Sequence, residues 1–338
     1  MSSPDLKKIF DDMQQMHVVV VGDVMLDNYW WGDVERISPE APVPIVTLKR
    51  RESRLGGAAN VALNCQALGA KVTLASIVGD DNEGKMLEAL ANDAGIDTKL
   101  IMHSSQRLTT TKTRVISRNQ QMMRLDEEVS EELYTEEEHP FIDLVLRFLQ
   151  REKPQVLIFE DYNKGLLKEN VIKRITDHCR EIGIVTAVDP KKKNFLAYKN
   201  VSIFKPNLKE IREGLHLPIT QVNEEELVAA HEKLKSILHH DITFITLSEK
   251  GVFYNDETGH KIIPAHLRNI ADVSGAGDTV IATASLVYAL TKDAYLMSAI
   301  SNIAGGLVCE QVGVVPIDKT LLLTETERLL AATAEASV

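Results

Sequence analysis

Residues 155–190 read QVLIFEDYNKGLLKENVIKRITDHCREIGIVTAVDP. The stretch opens on the unbroken apolar run VLIF and closes on a second, IVTAV. Between them Val171, Ile172, Ile175 and Cys179 recur at helical spacing. Strands that are continuously apolar rather than alternating, and that are joined by a helix, belong to a parallel sheet covered on both faces. The same unit recurs along the chain. Further strand runs are HVVVVGD at 17–23, KVTLASIVGD at 71–80, VSIFKPN at 201–207 and ITFITLSEKG at 242–251, and helical segments such as AANVALNCQALGA at 58–70 and GKMLEALANDAG at 84–95 lie between runs. The expected fold is α/β: a doubly wound, mainly parallel sheet flanked by helices, with ligands at the carboxyl ends of the strands.

At 338 residues the chain can bury a large core, and no repeat or low-complexity tract divides it, so we expect one domain over 1–338. Two stretches break the rhythm. Residues 27–50 hold three prolines and no helical period, and residues 108–126 are rich in Thr, Val and Ile without one. Strand pairs lifted off the main sheet account for both, and together they read as a small β lid able to close over a substrate.

Composition narrows the function. Lys+Arg number 38 against 49 Asp+Glu, a net charge of −11, and no basic run exceeds Lys191–Lys193, which excludes a nucleic-acid footprint. Cys65, Cys179 and Cys309 are far apart with no CxxC pair, which argues against a disulfide framework and fits a reducing compartment. The N-terminal MSSPDLKKIFDDMQQMH has acids where a signal peptide needs an apolar stretch, and no apolar run reaches the roughly 20 residues of a membrane span. The expectation is a cytoplasmic protein with no membrane partner.

Two phosphate-binding patterns fail on inspection. GDDNEGKM at 79–86 fits G-x-x-x-x-G-K, but Met86 stands where a magnesium-holding Ser or Thr belongs, and Asp80, Asp81 and Glu83 would crowd a polyphosphate. It reads as a strand-to-helix turn with capping acids. The first strand ends in GDVMLD rather than G-x-G-x-x-G, so the fingerprint of a nicotinamide oxidoreductase is missing.

DVSGAGDTV at 272–280 remains. A helix beginning near Gly275, capped by Ser274, would present the backbone N–H groups of Gly275, Ala276 and Gly277 at the positive end of its dipole, forming an anion hole. Asp278, in the first turn at the edge of that hole, could take the proton of an incoming hydroxyl while the N–H groups meet phosphoryl oxygens. An ordinary capped helix with an N-terminal aspartate fits these nine residues too.

With RLGGAANVALNCQALGA at 54–70, DVSGAGD resembles the paired signatures of the ribokinase-like carbohydrate kinases, and the order of elements matches over nearly the whole chain. A longer resemblance, through GDVMLDNYWWGDVERISPEAPVPIV, VISRNQQMMRLD, DYNKG and PNLKE, is to the kinase part of the D-glycero-β-D-manno-heptose 7-phosphate kinases. The resemblance implies phosphorylation of the sugar's C1 hydroxyl, with magnesium and ATP, on the way to ADP-heptose and the lipopolysaccharide core. It implies Asp278 as catalytic base, Gly275–Gly277 as anion hole, Asp27 as clamp on the sugar hydroxyls, and Gly56, Gly57 and Asn60 as the sugar-facing motif. Asn207 and Glu210 match an N-x-x-E element that positions magnesium through water, although a capping box explains the same pair. Ser248 and Gly251 fall beside the nucleotide phosphates, Asn302 borders the adenine, and Asp272 matches a ligand of the potassium ion that many members use. The H-x-G-H motif of a fused nucleotidyltransferase is absent, which implies a separate adenylyltransferase as pathway partner. A homodimer paired through the lids is likewise implied.

A sugar already carrying a phosphate needs a second anion pocket. The candidates are Lys112, Arg114, Arg118, Arg124, Lys164 and Lys191, and we favour Arg124 and Lys164. Trp30 and Trp31 point to opposite faces of a strand, so at most one covers the sugar. Rival readings are a kinase for another sugar phosphate or a nucleoside, and a non-catalytic nucleotide or sugar sensor on the same fold.

Overall fold

A computed structural model describes residues 5–118, 120–217, 219 and 222–335, so the ends of the expected 1–338 domain lie outside the described residues. Nine strands form the main sheet: β1 (His17–Gly22), β4 (Lys71–Gly79), β5 (Asp97–Ser104), β8 (Val156–Glu160), β9 (Val185–Asp189), β10 (Ile203–Phe204), β11 (Ile242–Thr246), β12 (Val252–Asp256) and β13 (Gly259–Ile263). Their order is β13-β12-β11-β10-β9-β8-β1-β4-β5. All neighbours from β11 to β5 pair in parallel, and only the β11-β12-β13 edge is antiparallel. The order reverses between β1 and β8, which is where a doubly wound sheet opens a crevice at its carboxyl edge.

Among the described residues there are ten α-helices: α1 (Leu6–Asp12), α2 (Ala58–Ala67), α3 (Asn82–Asp93), α4 (Thr135–Glu152), α5 (Glu169–Glu181), α6 (Leu208–Leu215), α7 (Glu224–Leu238), α8 (Ala276–Thr291), α9 (Ala294–Val308) and α10 (Lys319–Glu335). The central strands are buried on both faces, which is why their sequences run apolar without a break. Val18, Val20 and Ile158 pack with α2, α8 and α9 on one side, and Val19, Val21 and Phe159 with α4, α5 and α7 on the other. No helix among the described residues is long and apolar enough to cross a membrane.

The two stretches without helical period lie in a separate four-stranded sheet, ordered β3 (Pro44–Gly57), β2 (Val24–Ile37), β6 (Thr111–Ser117), β7 (Gln120–Glu127). Its hairpin reaches further than residues 27–50, because Val24 still pairs with Gly57. The Walker-like turn is structural: Asp81 caps α3 by accepting from Gly84 N at 2.7 Å, and also takes Thr109 N at 2.8 Å.

Candidate active site

The start of α8 differs from its sequence reading. Ser274 does not cap it. Gly275 is the cap, with φ +80° and no side-chain cap bond. A Cβ there would stand 2.9 Å from Asn60 Nδ2 in a backbone conformation that L side chains rarely adopt, so both conformation and space call for glycine. At Gly277 a Cβ would face Asp189 Oδ2 at 3.6 Å and Lys205 Nζ at 3.9 Å. The positive end of α8 therefore opens toward the carboxyl ends of β9 and β10.

Asp278 is buried in the first turn of α8. Its Oδ2 accepts from Asn60 Nδ2 at 2.7 Å and its Oδ1 from Tyr162 Oη at 3.1 Å. Burial pushes its carboxyl up to about 6; the Asn60 bond opposes this and the Asp189 charge adds to it. Asn60, in the first turn of α2, is fully buried, so it reaches Asp278 and offers no exposed surface to a sugar. The segment that delivers it begins at Gly56 and Gly57. A Cβ on Gly56 would stand 2.2 Å from Asp27 Oδ2, and Gly57 has φ +59°. Asp27 is itself buried and bonded to Arg114 at 2.5 Å.

Beside this lies a second charged group. Asp189, at the end of β9, takes Lys191 Nζ at 2.9 Å and Lys205 Nζ at 2.7 Å. Burial would raise its carboxyl, but the two lysines hold it below the usual range. Lys191 also pairs with Glu210 at 2.9 Å. Glu210 and Asn207 do form a reciprocal capping box at the start of α6, with bonds of 2.8 and 2.9 Å. Glu160, the last residue of β8, is fully buried with no hydrogen-bond partner on either oxygen, and burial, then the Asp189 charge, pushes its carboxyl well above the ordinary range.

The remaining expected residues make local contacts of their own. Ser248 (φ +56°) and Gly251 (φ +95°) shape the turn after β11, and Asn302 on α9 donates to Pro264 O at 2.9 Å. Asp272 accepts from Ser274 N and Gly313 N, both at 2.9 Å. Of the basic candidates, Lys112 and Lys164 meet at Glu128, at 3.2 and 2.7 Å, while half-exposed Arg124 is bonded through two nitrogens to Asp126. Arg118 sits in the β6–β7 turn, and Lys191 belongs to the Asp189 group instead. Among the described residues no group of three or more His, Cys, Asp or Glu side chains could hold a metal ion by itself. A magnesium ion would fit here only with phosphate and water supplying most of its ligands.

Sequence reasoning missed Tyr162, Asp189, Lys205 and Glu160. Each lies at the end of β8, β9 or β10 or within two residues of it, so the one signal in the sequence was a place at a strand's carboxyl end, which does not say which ends converge.

Chemically, the site offers a glycine-flanked helix start, where Ala276 N is bonded to Val273 O at 3.3 Å, a lysine beside it, and a buried carboxylate in the same first turn. That combination suits phosphoryl transfer to a hydroxyl. Residues 15–320 match the pfkB family of carbohydrate kinases. The chain is 41% identical over 310 residues to the bifunctional protein HldE of Methylobacillus flagellatus, covering 92% of this chain and 63% of that protein. It is 38% identical over 303 residues to the D-beta-D-heptose 7-phosphate kinase of Bordetella bronchiseptica, covering 88% of this chain and 91% of that protein. Among solved structures, Escherichia coli phosphofructokinase-2 in complex with potassium superimposes with a TM-score of 0.77 at 17% identity, over 92% of this chain and 99% of that one. Arabidopsis thaliana ribokinase complexed with ribose and ATP gives 0.70 at 16%, over 91% and 98%. At such identities these two establish a shared ribokinase-like fold.

Proposed function

Because the chain belongs to the pfkB family of carbohydrate kinases, we propose that it transfers the γ-phosphoryl group of ATP to the C1 hydroxyl of D-glycero-β-D-manno-heptose 7-phosphate. The products are ADP and the 1,7-bisphosphate, a precursor of ADP-heptose for the lipopolysaccharide core. The observation that carries the reading is Asp278, desolvated and held by two hydrogen bonds at the edge of the glycine turn. The heptose kinase relative, matched over nearly its full length, supports the choice of sugar.

In this reading Asp27 and the Gly56–Gly57 segment hold the sugar, and Arg124 and Lys164 exchange their present acidic partners for its 7-phosphate. Asp278 takes the C1 hydroxyl proton as that oxygen bonds to the γ-phosphorus. The bond from the γ-phosphorus to the β–γ bridging oxygen breaks, and its electron pair leaves with ADP. Charge on the transferring group falls to the N–H groups of Gly275–Gly277 and to Lys205. Glu210 and Asn207 would hold, through water, the magnesium bound with ATP, which would offset charge on the phosphate oxygens, and Asp272 would hold potassium. Ser248 and Gly251 border the nucleotide phosphates, and Asn302 the adenine. In this reading the enzyme works in the cytoplasm, ahead of an adenylyltransferase step. Met122, Met123 and Leu125, exposed on β7, support a homodimer formed through the small sheet, which serves as the lid.

A panel of sugar phosphates with MgATP, read by ADP release and by phosphorus NMR of the product, tests the proposal. The expected result is turnover of the heptose 7-phosphate with a new ester on C1. Failure of every sugar phosphate in the panel to release ADP would remove the kinase reading, and an ester elsewhere would remove the heptose assignment.

A further inference from the structure

Tyr162 stands in the turn that follows β8, and that turn is locked from several sides. Tyr162 N and Lys164 N both donate to buried Asp23 Oδ2, at 2.9 and 3.0 Å. Asn163, in the left-handed region at φ +55°, donates its N–H to Asp161 Oδ1 at 2.8 Å, and Asp161 Oδ2 takes the Tyr198 hydroxyl at 2.7 Å. A fixed turn thus delivers the Tyr162 hydroxyl to Asp278 Oδ1, while Asn60 holds Oδ2 from the opposite element. Lys191 lies 5.4 Å from the centre of the Tyr162 ring.

We infer that Tyr162 is the positioning residue of the catalytic base: its hydroxyl fixes the plane of the Asp278 carboxylate, so that a free lone pair faces the acceptor hydroxyl. The inference rests on Asp278 being that base. Each carboxylate oxygen has two lone pairs, and Asn60 and Tyr162 use one on each, which leaves room for the substrate's O–H. The charged groups acting on Asp278 from the surrounding elements are Asp189, Lys191 and Glu160, and Lys205 stands beside Asp189 near Gly277. Burial and the neighbouring acids favour protonated Asp278, whereas the two hydrogen bonds favour the ionised form that can accept a proton. Burial first, then the Asp278 charge, pushes the Tyr162 hydroxyl well above its ordinary value, so it stays a donor throughout the working range.

The test is the pH profile of kcat in the full-length enzyme with MgATP and heptose 7-phosphate. Tyr162→Phe keeps the ring and its packing but removes the hydroxyl. The expected result is an acid limb moved up by about one pH unit, the lower end for a hydrogen bond to a charged group. The loss of kcat should be about tenfold below the limb and smaller above pH 8, with KM for ATP unchanged. Placing 3-fluorotyrosine at 162 makes the hydroxyl a stronger donor and should move the limb the other way, a readout that survives if the Phe variant folds poorly. An acid limb that both changes leave in place overturns the inference. Asp278→Asn is assayed alongside: near-normal turnover there would remove the base and this inference with it. An inactive Asp278→Asn with an unmoved Tyr162→Phe limb sinks the inference alone.

Discussion

Asp278 is a carboxylate placed where water hardly reaches, and that placement makes activity and stability pull apart. Its carboxyl titrates near 6 in the folded chain against 3.8 in an open one. Being raised, it costs nothing below about pH 4, and the cost of keeping it ionised grows as pH rises to 6 and is complete above. At 1.36 kcal/mol per unit this amounts to about 3 kcal/mol. Two outcomes are expected of Asp278→Asn at pH 8: kcat should fall by about 10²-fold to 10⁴-fold, as when a general base is lost, and Tm should rise. Steady-state kinetics and calorimetry check them, and a lower Tm would mean that the bonds from Asn60 and Tyr162 outweigh the cost of burial. In the wild type, kcat should drop about tenfold per pH unit below 6. Asp278 and its glycines were legible because they are contiguous in DVSGAGD. Tyr162, Asp189 and Lys205 were not, since only the registers of β8, β9 and β10 bring residues so far apart in sequence to one edge.

The β2–β3 hairpin shows how an element serves a site. Met25 pairs with Gly56 and Asp27 with Arg54, so Asp27 and the glycine that makes room for its carboxylate lie on facing strands. Gly56→Ala would put a methyl group 2.2 Å from Asp27 Oδ2 and 2.8 Å from Met25 Cγ, and the carboxylate would have to swing away. We expect KM for the sugar phosphate to rise by at least about tenfold, one hydrogen bond's worth, with KM for ATP unchanged. An equal rise in both would place the damage in the fold rather than at Asp27. The same hairpin reaches the loop at 312–314, which packs beside Gly275. Arg54 donates to Val312 O and Val314 O at 3.3 and 3.0 Å, Tyr29 Oη accepts from Val314 N, and Gly313 N bonds Asp272. The prolines and missing helical period marked these stretches as strands apart from the main sheet. They gave no hint that Arg50 would lie over the Trp31 ring, itself stacked on Tyr29, because that contact depends on the cross-strand register that pairs Trp31 with Arg50.

Across the whole molecule, the titrating groups lie at opposite edges of one sheet. The parallel core was readable from its unbroken apolar strands, but the order of those strands, and with it the position of the crevice, depends on crossovers that no local pattern encodes. At the amino edge of β11, fully buried His240 and buried His231 share the hydroxyl of Thr243, at 2.5 and 2.8 Å. One hydroxyl can donate to one ring and accept from the other, so the arrangement suits two neutral imidazoles. Burial first, then the neighbouring His231, depresses His240 from 6.5 to about 3. Its stabilising contribution is therefore complete above pH 6.5 and declines as pH falls toward 3, with about 2 kcal/mol gone by pH 5. Asp278 works with the opposite sign over nearly the same window, since its cost of ionisation disappears as pH drops from 6 to 4. The wild-type stability curve can thus look flat while both ends titrate. Comparison with His240→Gln, which keeps an amide for Thr243 and cannot take up the proton, separates them. In urea unfolding, the variant should gain about 2 kcal/mol relative to wild type between pH 7.5 and pH 5. A difference that stays constant across that range would show that His240 does not titrate with folding.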